Sequence, residues 1–450
     1  MASFYFIFLA FFIAIIFIHP KKATYLLWIP LFTYPHGWWY QRGYLPLNIG
    51  ADDLLCALLF LVFFFRVTLF DRKKVRYGFA FWTITGFTLI LLIANLNGYV
   101  IGAEVEWLVP VKAILKAFIY WGFFYCILHA IDDKRDLIKH LTAFSVACTL
   151  GAGTVILQYY TPEIGVIFTA PAGLREIALA SGMRSSGVFM NPNGAACVLA
   201  AIVPILSGAS RLVGRWSYEI WSLLATGSAV VALFATQSRS GLIACAMGFA
   251  AMALRRGQRG WAMVMVLTVL VTAILLPGAR ESFQMRMLST YASESGQYDQ
   301  NLLGRIGTWK SYLHTATPTI YLLGQGFDQG VYRNGMESHN AYIALLTVYG
   351  VAGVLWFIGL VAGIFRQAWI CRNLNDPALK NVMKACMLSF LVWAVYGLAS
   401  DAVSSQYPRY LLFFIVVMVD RIPRLNGVTI PARGAARNTA LAMAPKISTC

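Results

Sequence analysis

The chain is 450 residues long, 59% hydrophobic, only 12% charged and carries a net charge of +17. Soluble domains hold roughly 25% charged residues, so the composition excludes a soluble enzyme or a soluble nucleic-acid-binding module and points to an integral membrane protein. The basic excess requires no nucleic acid, because most of it lies in short loops between apolar runs, where it sets topology.

The first apolar run, 4–18, is followed by Pro20-Lys21-Lys22 and no small-residue cleavage site, as expected of a retained span. A shorter aromatic run, 23–34, either spans or re-enters. It leads into Pro35-His36-Gly37-Trp38-Trp39-Tyr40, an interfacial belt in composition. Further apolar runs follow at 54–70, 79–96, 108–131, 137–159, 195–212, 220–235, 241–254, 261–276, 341–365, 382–398 and 410–419. Runs near this length reach across a bilayer core, and without barrel-type alternation only helices satisfy the backbone there. The expected fold is an all-α integral membrane protein with about 12 transmembrane helices, filling residues 1–421.

Basic clusters recur in alternate loops, from Arg66 to Arg76, at Lys134-Arg135, Arg211 with Arg215, Arg255-Arg256, and Arg366 with Arg372. The positive-inside rule assigns that side to the cytoplasm. Residues 422–450, Ala- and Pro-rich with Arg424, Arg433, Arg437 and Lys446, read as a disordered cytoplasmic tail. Loops 161–193 and 278–338 then face the periplasm or exterior. The second contains short helical signals, including an amphipathic stretch at 302–316 suited to the membrane surface. The eight cysteines show neither metal spacing nor a disulfide framework.

Arg184, Arg239, Arg305 and Arg333 occur on the side that the rule depletes of arginine. For Arg305 and Arg333, a solvated loop position is an equal alternative. Arg239 is more constrained. It sits in the tight joint Gln237-Ser238-Arg239-Ser240-Gly241 and opens a helix, where the macrodipole opposes a cation. A cation in that place is expected to meet an anion.

Two other helix starts share the side. Arg184 precedes the Asn191-Pro192-Asn193-Gly194 cap, and His339-Asn340 precedes the run from Ala341. Arginines beside helix N-termini suit a phosphate or diphosphate, which in a membrane enzyme is most readily lipid-linked. A lone histidine is more often a plain polar residue at a helix start. Near arginines and a helix N-terminus, however, His339 should remain neutral and able to accept a hydroxyl proton while the cations hold a leaving group.

Acids of the outer loops, among them Glu337 and Asp401, are scattered without a DxD motif, so no metal site is expected. Asp52-Asp53 reads as a helix cap. Gly324-x-Gly326 follows no strand pattern and reads as a turn, not a dinucleotide loop.

Four blocks together carry a family resemblance. They are Arg184-Ser185-Ser186-Gly187-Val188-Phe189-Met190-Asn191-Pro192-Asn193, then Ser238-Arg239-Ser240-Gly241, then Gly304-Arg305-x-x-x-Trp309 with Gly324-x-Gly326, and His339-Asn340-x-Tyr342 through Gly350 and Gly353. In order and spacing the chain resembles the O-antigen ligase and polymerase superfamily of bacterial envelope glycosyltransferases.

The resemblance implies a GT-C-type bundle in the inner membrane, a periplasmic active site and an undecaprenyl-diphosphate-linked glycan donor. It implies inverting transfer without metal or cofactor, to a lipid A core acceptor if the chain is a ligase. His339 matches the family's proposed base, and Arg184 and Arg239 match arginines that grip the diphosphate. Arg305 serves either donor binding or the folding of the large loop; Asn191, Asn193, Asn340 and Arg333 are supporting positions. The blocks are shared by ligases, polymerases and protein O-oligosaccharyltransferases and do not separate them; the lack of the clear paired R-x10-G loops of some polymerases tilts the resemblance to a ligase. A transporter of lipid-linked glycan is the non-enzyme alternative, but it would hold its charged site near the midplane, whereas these groups cluster at one face.

Overall fold

A computed structural model describes residues 2–33, 50–72, 74–102, 108–161, 184–189, 191–254 and 302–425, together with residues 260, 263, 267 and 268. All regular structure among them is helical. The helices are α1 (Ala2–Ile18), α2 (Pro20–Leu26), α3 (Trp28–Leu31), α4 (Ala51–Phe63), α5 (Phe79–Ile101), α6 (Leu108–Ala130), α7 (Lys134–Tyr160), α8 (Pro192–Val213) and α9 (Trp216–Ala235). They continue as α10 (Arg239–Ala253), α11 (Leu302–Thr315), α12 (Pro318–Leu323), α13 (Phe327–Asn334), α14 (Ala341–Thr347), α15 (Gly350–Ile370), α16 (Pro377–Gly397) and α17 (Gln406–Leu425).

Among the described residues, eight helical stretches are long and apolar enough to cross a membrane. The all-α membrane fold is therefore borne out. Ile7–Ile18 and Arg239–Ala253 are shorter apolar helices. The run at 261–276 lies almost wholly outside the described residues, and the belt at 35–40 and most of loops 161–193 and 278–301 lie outside them too.

The helices begin where polar residues take up N–H groups that a first turn leaves open. Asp133 accepts from Asp136 N at 2.7 Å at the start of α7, and Asp376 accepts from Ala378 N at 2.8 Å at the start of α16. Asp53 does act as a cap, accepting from Gly50 N at 2.9 Å, but it also pairs with Lys116 at 3.0 Å and receives the Tyr120 hydroxyl.

The centre of the bundle is formed by α8 and α17. Small residues bring α8 close to α16: a Cβ on Gly208 would lie 2.5 Å from the Ala385 methyl, and the Ser389 hydroxyl donates to Ala201 O. α17 is buried from Tyr407 to Pro423 except at Arg409. The second apolar run is divided into α2 and α3, of seven and four residues. At about 1.5 Å per residue neither piece approaches the ~30 Å of a bilayer core. Instead α3 inserts Trp28 edge-on among Phe123, Phe144 and Phe414, at centroid distances of 5.2, 4.8 and 5.3 Å.

The segments carrying Lys21, Arg76 and Lys134 share one end of the bundle. There Lys21 pairs with Asp132 and Asp136 at 2.8 Å each, Arg76 with Asp132, and Lys134 with Asp376 at 2.5 Å. α17 continues past residue 422 to Leu425. Arg421 is drawn into the structure by donating to Ile131 O at 2.8 Å, and Arg424 faces Asp420. Residues 426–450 lie outside the described set.

The run expected as a single span at 341–365 is broken. α14 ends at Thr347, and α15 starts at Gly350 with φ +71°, a region that glycine enters without a Cβ penalty. The Thr347 and Val348 carbonyls accept from Gln325 N at 3.2 Å and Gly326 N at 3.1 Å, replacing bonds that a continuous helix would make. The 324–326 segment is held on its other side by the Asn97 amide donating to Gly324 O. A Cβ on Gly324 would lie 2.3 Å from Val348 O, and one on Gly98 would lie 1.9 Å from Gln325 O. The glycine pair is thus a close-approach turn that props up the chain leading to His339.

Candidate active site

The four sequence blocks meet at the end of the bundle remote from the paired basic loops. α5 fixes the two ends: Phe79 N donates to Asp420 at one, and Gly98 meets Gln325 at the other.

Residues 184–189 lie along α7. Gln158 Oε1 accepts from Ser186 N at 2.9 Å and Gly187 N at 2.6 Å, while Thr154 Oγ1 accepts from Val188 N at 3.0 Å. Gly187 has φ +52°, and a Cβ there would lie 2.3 Å from Thr154 Oγ1, so this approach requires glycine. Arg184 then donates from Nη2 to Asn193 Oδ1 at 2.8 Å and from Nε to Thr236 O at 3.2 Å. It ties the start of α8 to the end of α9. Asn191 caps α8 by accepting from Asn193 N at 2.8 Å.

The next block follows directly. Gln237 turns the chain with φ +51°, Ser238 caps α10, and a Cβ on Gly241 would lie 2.7 Å from the Ala196 methyl. The starts of α8 and α10 therefore abut. Arg239 opens α10 half-buried, within electrostatic reach of Arg305. Two like charges so placed repel, and an anion between them would relieve the repulsion.

The last turn of α16 is the hub. Leu398 O accepts from Asn340 Nδ2 at 3.0 Å, and the next carbonyl, Ala399 O, accepts from Arg305 Nη1 at 2.8 Å. Tyr396, one turn back, donates its hydroxyl to Asn193 O at 2.6 Å. Carbonyls that a helix end leaves open thus collect the blocks from 305 and 340, and the Tyr396 hydroxyl collects the block from 191–193. α11 secures the remainder: Trp309 donates to Ser338 O at 2.9 Å and Tyr312 to Met336 O at 2.9 Å.

His339 stands between buried Ser338 and Asn340 with φ +49°, a left-handed conformation rare for a non-glycine residue. Strain of this kind persists where the surroundings enforce it, and it clusters at functional sites. The imidazole Nδ1 lies 4.0 Å from the Glu337 carboxylate. Behind them Asp401 is 2% exposed. Its Oδ1 accepts from Ser404 N at 3.0 Å, and its Oδ2 makes no hydrogen bond among the described residues. Burial pushes the Asp401 carboxyl up to about 6; Ser404 hydrogen bonds pull the other way, Glu337 adds to the rise, and His339 opposes it. Tyr349 donates its hydroxyl to Ser404 at 3.0 Å and closes the floor.

Of the expected positions, Arg239, Arg305, Asn340 and His339 come together around the α16 terminus. Arg184, Asn191 and Asn193 stand at its α8 side, engaged with one another. Arg333 is exposed in the last turn of α13, where a cation suits the C-terminal dipole.

The helix starts offer less to an anion than the sequence suggests. α14 has only seven residues, and Asn340 Oδ1 already accepts from Tyr342 N and Ile343 N. The guanidinium groups must carry most of the attraction. Asp401, Glu337 and Tyr396 are additions. In the sequence Glu337 and Asp401 stood only among the scattered acids of the outer loops, and Tyr396 lay unmarked in an apolar run. Among the described residues, no group of three or more His, Cys, Asp or Glu is arranged to hold a metal.

Residues 223–358 match the family model described as O-antigen ligase. That segment includes the Arg239 joint, Arg305 and the His339 loop, and the match bears out the family resemblance, with the 184–193 block outside the matched residues. It supports glycosyltransferase activity of the O-antigen ligase or polymerase type. No curated protein matches the chain.

Proposed function

From a chain whose residues 223–358 match the O-antigen ligase family, we propose an O-antigen ligase. It moves a glycan from an undecaprenyl-diphosphate-linked donor to a sugar hydroxyl of the lipid A core. The reaction takes place at the periplasmic face of the inner membrane, in a GT-C-type bundle, without metal or cofactor.

One observation carries this reading. Arg305 and Asn340 bind consecutive carbonyls at the end of α16, so a cation and the residue following the histidine are held side by side, with Arg239 in reach of Arg305. In the proposed step His339 takes the proton of the acceptor hydroxyl as that oxygen attacks the anomeric carbon. The bond from this carbon to the phosphate oxygen breaks on the opposite face. Its electron pair leaves with the diphosphate, whose charge Arg239 and Arg305 stabilise. Attack opposite the leaving group inverts the centre. Asp401 is a positioning residue that biases the imidazole through its field, and Arg184 holds the α8 start in place through Asn193.

His339→Ala is expected to insert and fold normally but to lose transfer in a reconstituted assay with donor and lipid A core; full activity would remove it as the base. Arg239→Lys keeps the charge but loses the planar fork, so donor affinity should fall about tenfold, and unchanged affinity would count against a clamp. Deleting the gene in its host separates the products. Core without long chains and with accumulated lipid-linked polymer is the ligase result. Core bearing a single repeat indicates a polymerase, and unchanged lipopolysaccharide another product.

A further inference from the structure

At the end of the bundle remote from His339, a cavity of about 560 Å³ opens between the α1–α2 junction, the end of α4 and the start of α7. Its lining includes the cations Lys21, Lys22, Arg66 and Lys139 against two carboxylates, Asp71 and Asp136. We propose that this cavity binds the phosphate-bearing headgroup of an anionic membrane phospholipid.

Topology explains why basic residues gather in these loops but not why four of them enclose a space. The enclosure is built. α4 widens into a π-helical turn over Phe64–Phe70, and from it Arg66 Nη1 donates to Phe17 O at 2.8 Å and Ile18 O at 3.3 Å. That contact pins the end of α1 across the rim and uses one of the two terminal nitrogens of the guanidinium. On the α7 side Asp136 is shared by Lys21 at 2.8 Å and Lys139 at 3.2 Å, and Asp132, outside the lining, also pairs with Lys21 while being shared with Arg76. Lys22 is exposed at the mouth. The lining retains a positive surplus after its internal pairs are formed.

The apolar surroundings select a lipid over a free anion. Ile18, Tyr25, Phe63 and Val67 share the lining with the cations. Outside it, Phe17, Phe65, Leu69 and Phe70 are each more than half exposed, a surface suited to acyl chains. The volume lies within the ~300–1,000 Å³ of small-molecule sites, and basic pockets between membrane helices suit lipid phosphates.

The test uses full-length protein in detergent, titrated with short-chain phosphatidylglycerol and read by native mass spectrometry of lipid adducts. Wild type should take up one phosphatidylglycerol and bind phosphatidylcholine much more weakly. Lys22→Gln with Lys139→Gln should weaken the adduct about thirtyfold with an unchanged melting midpoint. Lys380→Gln with Lys384→Gln, which removes two charges outside the cavity, should leave it intact. Equal binding of the two lipids, equal weakening by both double variants, or undiminished binding in the first would overturn the site. Displacement by inorganic phosphate at a matching concentration would overturn the lipid as its ligand. Glycan transfer is not read, so the outcome is independent of the reaction proposed at the other end.

Discussion

Asp401 has two opposed effects that a single substitution can separate. Its carboxyl is raised from an ordinary value of 3.8 to about 6, first by burial. Ionising it therefore costs the folded protein more than the unfolded chain. This cost is absent below about pH 4, grows as the pH rises through the window to 6, and is complete above it. An asparagine at this position would avoid it while still accepting from Ser404 N. Asp401→Asn should thus gain stability on the order of 3 kcal/mol at neutral pH, with the advantage vanishing near pH 4, as thermal midpoints at the two pH values would reveal. Transfer should fall nevertheless, since the field acting on His339 is lost. A variant no more stable than wild type at pH 7 would contradict the burial account. One that gained stability and kept full activity would remove Asp401 from the site. His339 and Arg239 were legible in the sequence because each stands out against a rule, a base or cation at a helix start on the arginine-poor side. Asp401 breaks no such rule. Its character depends on Tyr349 and Glu337, which only the folded chain brings to it.

The same division appears among elements. Spans such as α5, α6 and α8 were legible because hydropathy accumulates over about 20 residues and tolerates local exceptions. The break between α14 and α15 was not. Val348-Tyr349-Gly350 is as apolar as its surroundings, and Gly350 is one of several glycines in the run. The interruption depends on Gln325 and Gly326, more than twenty residues earlier, which pair with the carbonyls of Thr347 and Val348. This dependence can be tested. Gly324→Ala places a methyl 2.3 Å from Val348 O at φ +81°, so it should cost at least about 1–2 kcal/mol and reduce transfer by shifting the approach to His339. Gly359→Ala, within α15 where a Cβ meets nothing within 4 Å, should instead stabilise by about 0.5–1 kcal/mol and leave transfer unchanged. Melting midpoints that move together in the two variants would refute the special role of the 324–326 turn.

Across the whole molecule, the two ends are coupled by a packed centre rather than by charge. The basic end is linked by Lys21, Lys134 and Arg421, and the site end by Arg184, Asn340 and Arg305. Between them α8 and α16 touch through Gly208, Ala385 and Ser389. Lipid tails are as apolar as leucine side chains, so close backbone packing is the main source of helix association here. Tyr396 could not hold its present partner if α8 and α16 separated, because its hydroxyl donates to Asn193 O at the head of α8. Gly208→Leu would introduce at that contact a side chain whose first atom already lies 2.5 Å from Ala385. It should therefore lower the melting midpoint and abolish transfer together, although it lies on the far half of α8 from every proposed reacting group. Leu355→Ala, on the 62% exposed lipid face of α15, removes more apolar surface but opens no packed contact and should alter neither. If Gly208→Leu lost transfer with an unchanged midpoint, a direct route from the basic end to the site would replace shared packing as the explanation.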